Sequence, residues 1–202
     1  MPRLAGQIDK AKNEAILDAA SAVLFERGLA APLDEIARRA GVSKQTIYNH
    51  YGSKAELVRA LIERRSRMVN AALEAPLAQA YPEEALAAWA RAVLTTATME
   101  RGVSLFRLLI QSVPTMPELT RMAFEAAIRS GRVRLAEFLA REARAGRLAI
   151  DDPVQAASFF AGMVVSHHQI QGLFGIPSDL TAESIDAIAK EAARRFLRAY
   201  SR

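Results

Sequence analysis

Leu33-Asp34-Glu35-Ile36-Ala37-Arg38-Arg39-Ala40-Gly41-Val42-Ser43-Lys44-Gln45-Thr46-Ile47-Tyr48-Asn49-His50-Tyr51-Gly52-Ser53-Lys54 reads as two short helices joined by a tight turn. Leu33, Ile36, Ala37 and Ala40 recur at i, i+3, i+4 and i+7, one apolar face of a helix too short to stand alone. Gly41 follows where that helix must stop, since glycine takes the left-handed C′ conformation without steric cost. Ser43 offers a hydroxyl to cap the next helix. There Val42, Ile47 and Tyr51 are expected to point inward, and Lys44, Gln45, Thr46, Tyr48, Asn49 and His50 outward. Amide, hydroxyl, phenol and cation groups with almost no acid suit a DNA groove. Lys44, Gln45, Thr46 and Asn49 are the candidates for base edges, because amides pair with adenine and lysine with guanine. The bland alternative is a solvated helix face in a protein–protein module.

Residues 10–57 closely resemble the DNA-binding domain of the TetR/AcrR family of bacterial transcription regulators. The resemblance rests on Gly28, Ile36-Ala37, Ala40-Gly41-Val42-Ser43, Thr46-Ile47-Tyr48, His50-Tyr51 and Ser53-Lys54-Ala55-Glu56-Leu57. An ordered string of that length is far more specific than a generic helix-turn-helix pattern. It implies that Tyr48, His50 and Lys54 occupy positions that commonly hold phosphate oxygens, which set register without reading sequence. One departure matters: Ala31 and Pro32 stand where the family usually places hydroxyl residues. Pro32 suits a first helical turn, but Ala31 cannot donate to a phosphate.

Composition agrees with a helical chain. The 202 residues are 51% hydrophobic, with alanine and leucine ahead of the β-branched residues. There is no cysteine, which excludes disulfides, thiolate nucleophiles and cysteine metal sites. No apolar run approaches a membrane span and no signal core opens the chain, so a soluble, cytoplasmic protein is expected. The net charge of +5 is not concentrated in the first 54 residues. Position makes the better case: Arg38, Arg39, Lys44, His50 and Lys54 surround the reading helix, and Lys10 and Lys12 open helix one.

Outward from the head, residues 1–8 read as a loose arm, and helix one spans Lys10 to Arg27 with Ile16, Leu17, Ala20, Val23 and Leu24 buried. Ser53 and Glu56 form a capping box that starts a fourth helix reaching about Gln79. A fifth begins at Pro82, and Gly102 is expected to divide it from a sixth, Ser104 to Gln111. A single seventh helix is predicted from Pro117 to Ala145, a single eighth from Pro153 to about Gly172, and a ninth from Thr181. No strand candidate, repeat or low-complexity tract occurs. The expectation is an all-α fold of about nine helices: a helix-turn-helix DNA-binding domain over 1–54 and a helical ligand-binding and dimerisation domain over 55–202.

Trp89, Met99, Phe106, Met116, Met122 and Phe124 are apolar groups that would line a pocket or serve as ordinary core. The resemblance implies a pocket for an apolar or aromatic effector; Trp89, Phe106, Met122, Phe124 and His167 are the candidate ligand-binding residues. Ala157, Ser158, Ala161, Gly162, Val165 and Ser166 form a small-residue stripe that lets another helix approach closely. The resemblance makes this half of a four-helix homodimer interface with Ala157, Ala161, Gly162, Val165, Ile188 and Phe196; packing within the chain is the alternative. His167 and His168, neighbours on one helix, would diverge by about 100° and fail to chelate one ion. No metal site, cofactor motif or catalytic constellation is expected.

Taken with the resemblance, these residues imply a homodimeric, ligand-responsive regulator that binds double-stranded DNA. Its two heads would enter successive major grooves of a pseudo-palindromic operator about one helical turn (~34–36 Å) apart. Repression, relieved by a small molecule, is the expected mode. Control by a protein partner instead of an inducer, or a helical enzyme or carrier on the same fold, are the alternatives.

Overall fold

The computed structural model describes residues 10–76 and 78–201; the expected arm at residues 1–8 lies outside them. The described residues hold α1 (Lys10–Arg27), α2 (Leu33–Ala40), α3 (Lys44–Tyr51), α4 (Lys54–Glu74), α5 (Pro82–Thr98) and α6 (Glu100–Gln111). They continue with α7 (Pro117–Phe124), α8 (Ser130–Arg144), α9 (Pro153–Val165), α10 (His168–Leu173) and α11 (Ala182–Ala199). The fold is all-α: the described residues form no strand, only an isolated antiparallel bridge between Leu148 and Ser201.

Besides α4, which ends at Glu74 short of the expected Gln79, three departures from the expected layout stand out. The long helix from Pro117 is not uniform: a π-helical turn, Glu125–Arg129, joins α7 to α8. The helix from Pro153 breaks at Ser166, whose φ of 46° and ψ of −136° no ordinary helix permits, so α9 and α10 are separate. The α5–α6 corner lies at Met99, and Gly102 sits inside α6. A Cβ on Gly102 would stand 1.8 Å from the Thr96 carbonyl oxygen, so glycine is needed there for close approach and not for a helix stop.

Side-chain caps start α3, α4, α9 and α11. Ser53 Oγ accepts from the Glu56 N–H at 3.2 Å, but the Glu56 carboxylate turns to Arg59, so only half of the expected box forms. The reciprocal box occurs instead at Thr181 and Ser184, opening α11. Pro32 is the N-cap of α2 and offers no side-chain bond.

Two apolar cores result. The head core gathers Ile16, Ala20, Val23, Ile36 and Ile47, and extends into Leu57, Val58, Leu61 and Ile62 of α4 and Leu109 of α6. Packing therefore does not separate at residue 54; α4 closes the head and then enters the body. The body core centres on Trp89, Phe160 and Phe196, with ring centroids 5.8 Å and 4.9 Å apart in sequence. Burying aromatics of this size supplies much of the apolar stabilisation. Among the described residues no helix is long and apolar enough to cross a membrane.

Candidate DNA-reading head and body cavity

The head is built as its residues demand. Gly41 takes φ 67°, and the Val42 N–H closes back on the Ala37 carbonyl at 3.0 Å. Ser43 Oγ then accepts from the Thr46 N–H at 3.0 Å, starting α3. Ile47 is fully buried, which fixes the rotation of α3 and turns Lys44, Gln45, Tyr48, Asn49 and His50 outward. Thr46 is half-buried, its hydroxyl 2.8 Å from Ser43 Oγ.

These side chains hold one another in readiness. Lys44 Nζ donates to Asp34 Oδ2 at 2.7 Å, and Gln45 Nε2 donates to Asn49 Oδ1 at 2.7 Å. Both contacts are exposed, so exchanging them for base edges costs little. The Asp34 hydrogen bond raises the Lys44 pKa, and the ammonium stays charged. Asn13 of α1 reaches α3: its Oδ1 accepts from Tyr51 Oη at 2.6 Å and lies 3.2 Å from His50 Nε2. His50 is thereby tethered at one ring nitrogen. Lys54 Nζ donates to the carbonyls of Leu29 and Ala31, and burial lowers its pKa. An ammonium has three donors, so one remains for a phosphate. Arg39 is engaged by Glu26 at 2.7 Å, which weakens the cationic cluster expected around α3.

The body contains a cavity of about 280 Å³ between α4, α5, α6, the π turn, α8 and α9. Trp89 and Phe106 line it as expected. Three other candidates do not. Met122 packs against the head core, because α7 lies on that side of the π turn. Phe124 is exposed on the outside of α7, and His167 is exposed beyond the break at Ser166. That break also places the His167 and His168 rings 4.2 Å apart, where an unbroken helix would have separated them. Met99 and Met116, also weighed for the pocket, are exposed and outside the cavity wall.

The cavity wall includes residues that apolar spacing did not single out. Ile62, Arg65, Ser66 and Val69 run i, i+3, i+4, i+7 along α4, and an arginine inside such a stripe was the legible signal. Behind the wall Trp89 Nε1 donates to Asn70 Oδ1 at 2.9 Å, Asn70 Nδ2 to Ser66 Oγ at 3.3 Å, and Ser66 meets Ser130 at 2.9 Å. This chain satisfies the buried polar groups, so Trp89 offers the cavity only its ring.

The expected interface residues divide. Ala157, Ala161 and Phe196 are buried within the chain, packed in the body core, so they present no face to another copy. Ile188 is partly buried against the same core, Val165 is half-buried in the cavity wall, and Gly162 is exposed. The outward face of α9 lies one position round: Gln155, Ser158, Phe159, Gly162, Met163 and Ser166, all exposed at helical spacing. The rotation of α9 is set by Phe160, fully buried between Trp89 and Phe196, which the small residues did not reveal.

Comparison with known proteins agrees with this geometry. Residues 16–61 match the family described as bacterial regulatory proteins, tetR family, and residues 84–202 match the AefR-like transcriptional repressor C-terminal domain. Over 50 residues the chain is 54% identical to the transcriptional activator FasR of Mycolicibacterium smegmatis, which covers 24% of this chain and 23% of FasR. The chain thus spans about a quarter of the length of that relative. The solved structure of the flavonoid-responsive regulator FrrA is 32% identical, with TM-score 0.69 over 94% of this chain and 97% of FrrA. A TetR-family structure from Mesorhizobium loti superposes with TM-score 0.78 over 96% of this chain and all of its own, at 24% identity, a likeness of fold. With the head and most of the body both matched, the chain belongs to the TetR family of DNA-binding transcriptional regulators and is not an enzyme.

Proposed function

We propose that the chain is an effector-responsive repressor that binds a pseudo-palindromic operator as a homodimer in the cytoplasm and releases it when the body cavity fills. The observation that carries this reading is the double duty of α6. Leu105, Phe106 and Leu109 of α6 line the cavity, while Leu109 belongs to the head core. Leu108 Cδ2 stands only 3.3 Å from where a Gly28 Cβ would be, at the end of α1. A ligand that shifts α6 therefore presses on the head. It releases DNA only to the extent that it binds the DNA-incompetent arrangement more tightly, and operator DNA weakens ligand binding by the same factor.

Further support comes from the surface. Phe159 and Met163, one turn apart on α9, are large exposed apolar groups, as are Phe174 and Ile176 before α11, and exposed apolar groups of this size suit burial against a second copy. The similarity of residues 84–202 to a repressor body favours repression. Lys44, Gln45, Thr46 and Asn49 are assigned to base edges, and Tyr48, His50 and Lys54 to phosphates. The domains are read as 1–54 and 55–202, with α4 as the shared beam.

Selecting sites from a random DNA pool at near-physiological salt tests this reading. An enriched inverted repeat with half-sites about one helical turn apart is expected. Binding without enrichment, or a single half-site, would overturn it.

A further inference from the structure

The cavity wall carries two cations and no acid. Arg65 of α4 and Arg132 of α8 line it, and the remaining lining side chains are apolar or neutral. Arg65 is half-buried, and among the described residues it makes no hydrogen bond or ion pair. This is unusual in a chain whose neighbouring Arg64 is held by Glu14 at 2.8 Å and Asp18 at 2.9 Å. The guanidinium lies against bare backbone: a Cβ on Gly102 would sit 2.9 Å from Arg65 Nη2. Burial, with no opposing acid, pulls its pKa down from the ordinary arginine value. A guanidinium does not escape by losing its proton, so a partly desolvated, unpartnered one is poised for an anion that meets its planar fork.

The rest of the wall says what that anion carries. Trp89 and Phe106 offer ring surface, and Trp89 has already spent its N–H on Asn70. A volume of about 280 Å³ has room for roughly ten non-hydrogen atoms at ~30 Å³ per water-sized group.

We infer that the cavity takes a small amphipathic carboxylate, its carboxylate held by Arg65 and its apolar body against Trp89 and Phe106. Arg132, an exposed residue of α8 in the same wall, adds a second positive charge. This rests on the cavity being the effector site proposed above, and specifies its ligand as an anion where a merely apolar pocket would prefer neutral compounds.

The test is calorimetric titration of the refolded full chain near neutral pH with two matched pairs, cinnamate against cinnamyl alcohol and octanoate against 1-octanol. Each carboxylate is expected to bind at least about tenfold more tightly than its alcohol. In Arg65→Gln the preference should collapse to about twofold or less, and Arg65→Lys should keep part of it, with operator binding by both variants showing that the fold is intact. Equal affinity for acid and alcohol in the unaltered protein would overturn the anion assignment while leaving the effector cavity standing. If neither pair binds, the assignment fails as well; release of operator DNA by any neutral compound would then keep the parent reading alive.

Discussion

The Lys54 ammonium donates to the Ala31 carbonyl, tying the first residue of α4 to the turn between α1 and α2. The Leu29 carbonyl takes a second N–H. Lys54 is therefore a brace within the head, besides being a candidate DNA contact. Lys54→Ala should lower the melting temperature and weaken operator and random DNA alike. The salt dependence should lose a slope of at most about 0.9, the share of one phosphate. A fall of about two or more would show that losing the brace displaces other phosphate contacts as well.

Asp34 restrains Lys44 across the α2–α3 turn at 2.7 Å. Asp34→Asn should free the ammonium and remove a negative charge beside DNA, strengthening binding by up to about fivefold on any sequence. Gln45→Ala should instead change which base is preferred. Fluorescence anisotropy on the selected site and on single-base variants separates the two; equal losses on specific and random DNA would remove Gln45 from the base-reading set.

Gly102 has no room for a methyl group, because the Thr96 oxygen is backbone and cannot rotate away. Gly102→Ala should cost about 1–3 kcal/mol and lower the melting temperature by about 2–10 °C. It should also disturb ligand binding, since Gly102 lines the cavity. A neutral substitution would mean that the α5–α6 corner opens freely.

Phe159 and Phe196 should part company on substitution. Phe196 is 1% exposed in the aromatic core, and Phe196→Ala should cost about 3–5 kcal/mol. Phe159 is 57% exposed, and Phe159→Glu should leave the fold intact but split the dimer in sedimentation velocity. A dimer that survives Phe159→Glu would move the interface away from the outward face of α9.

His168 gives the stability a pH dependence. Burial, then the neighbouring charge of His167, lowers its pKa, with Asp179 opposing. The unfolded chain thus binds the proton more readily, and stability falls as pH drops below the ordinary histidine value towards and through the lower folded one. Melting temperatures taken between about pH 7 and pH 5 should decline, less steeply in His168→Gln. An unchanged slope would assign the decline to other groups.

Residues 10–54 placed α1, α2 and α3 by themselves. Glycine, serine and the apolar positions set each boundary through forces acting within a turn or two of chain, so α1, α2 and the start of α3 stand where spacing placed them. The outward side chains of α3 were legible for the same reason: burying Ile47 fixes the orientation of its neighbours. The body was different. Which side of α9 is inward depends on Phe160 meeting Trp89 and Phe196, residues distant in sequence, so Ala157, Ala161 and Phe196 went to the core. The cavity depends on a π turn, a break at Ser166 and a bare Gly102, none of which hydrophobic periodicity encodes. Arg65 was visible as a charge in an apolar stripe, but only packing shows that no acid reaches it. Local chemistry settled where the helices of the head begin and end; the mutual fit of helices decided the breaks of the body and what they enclose.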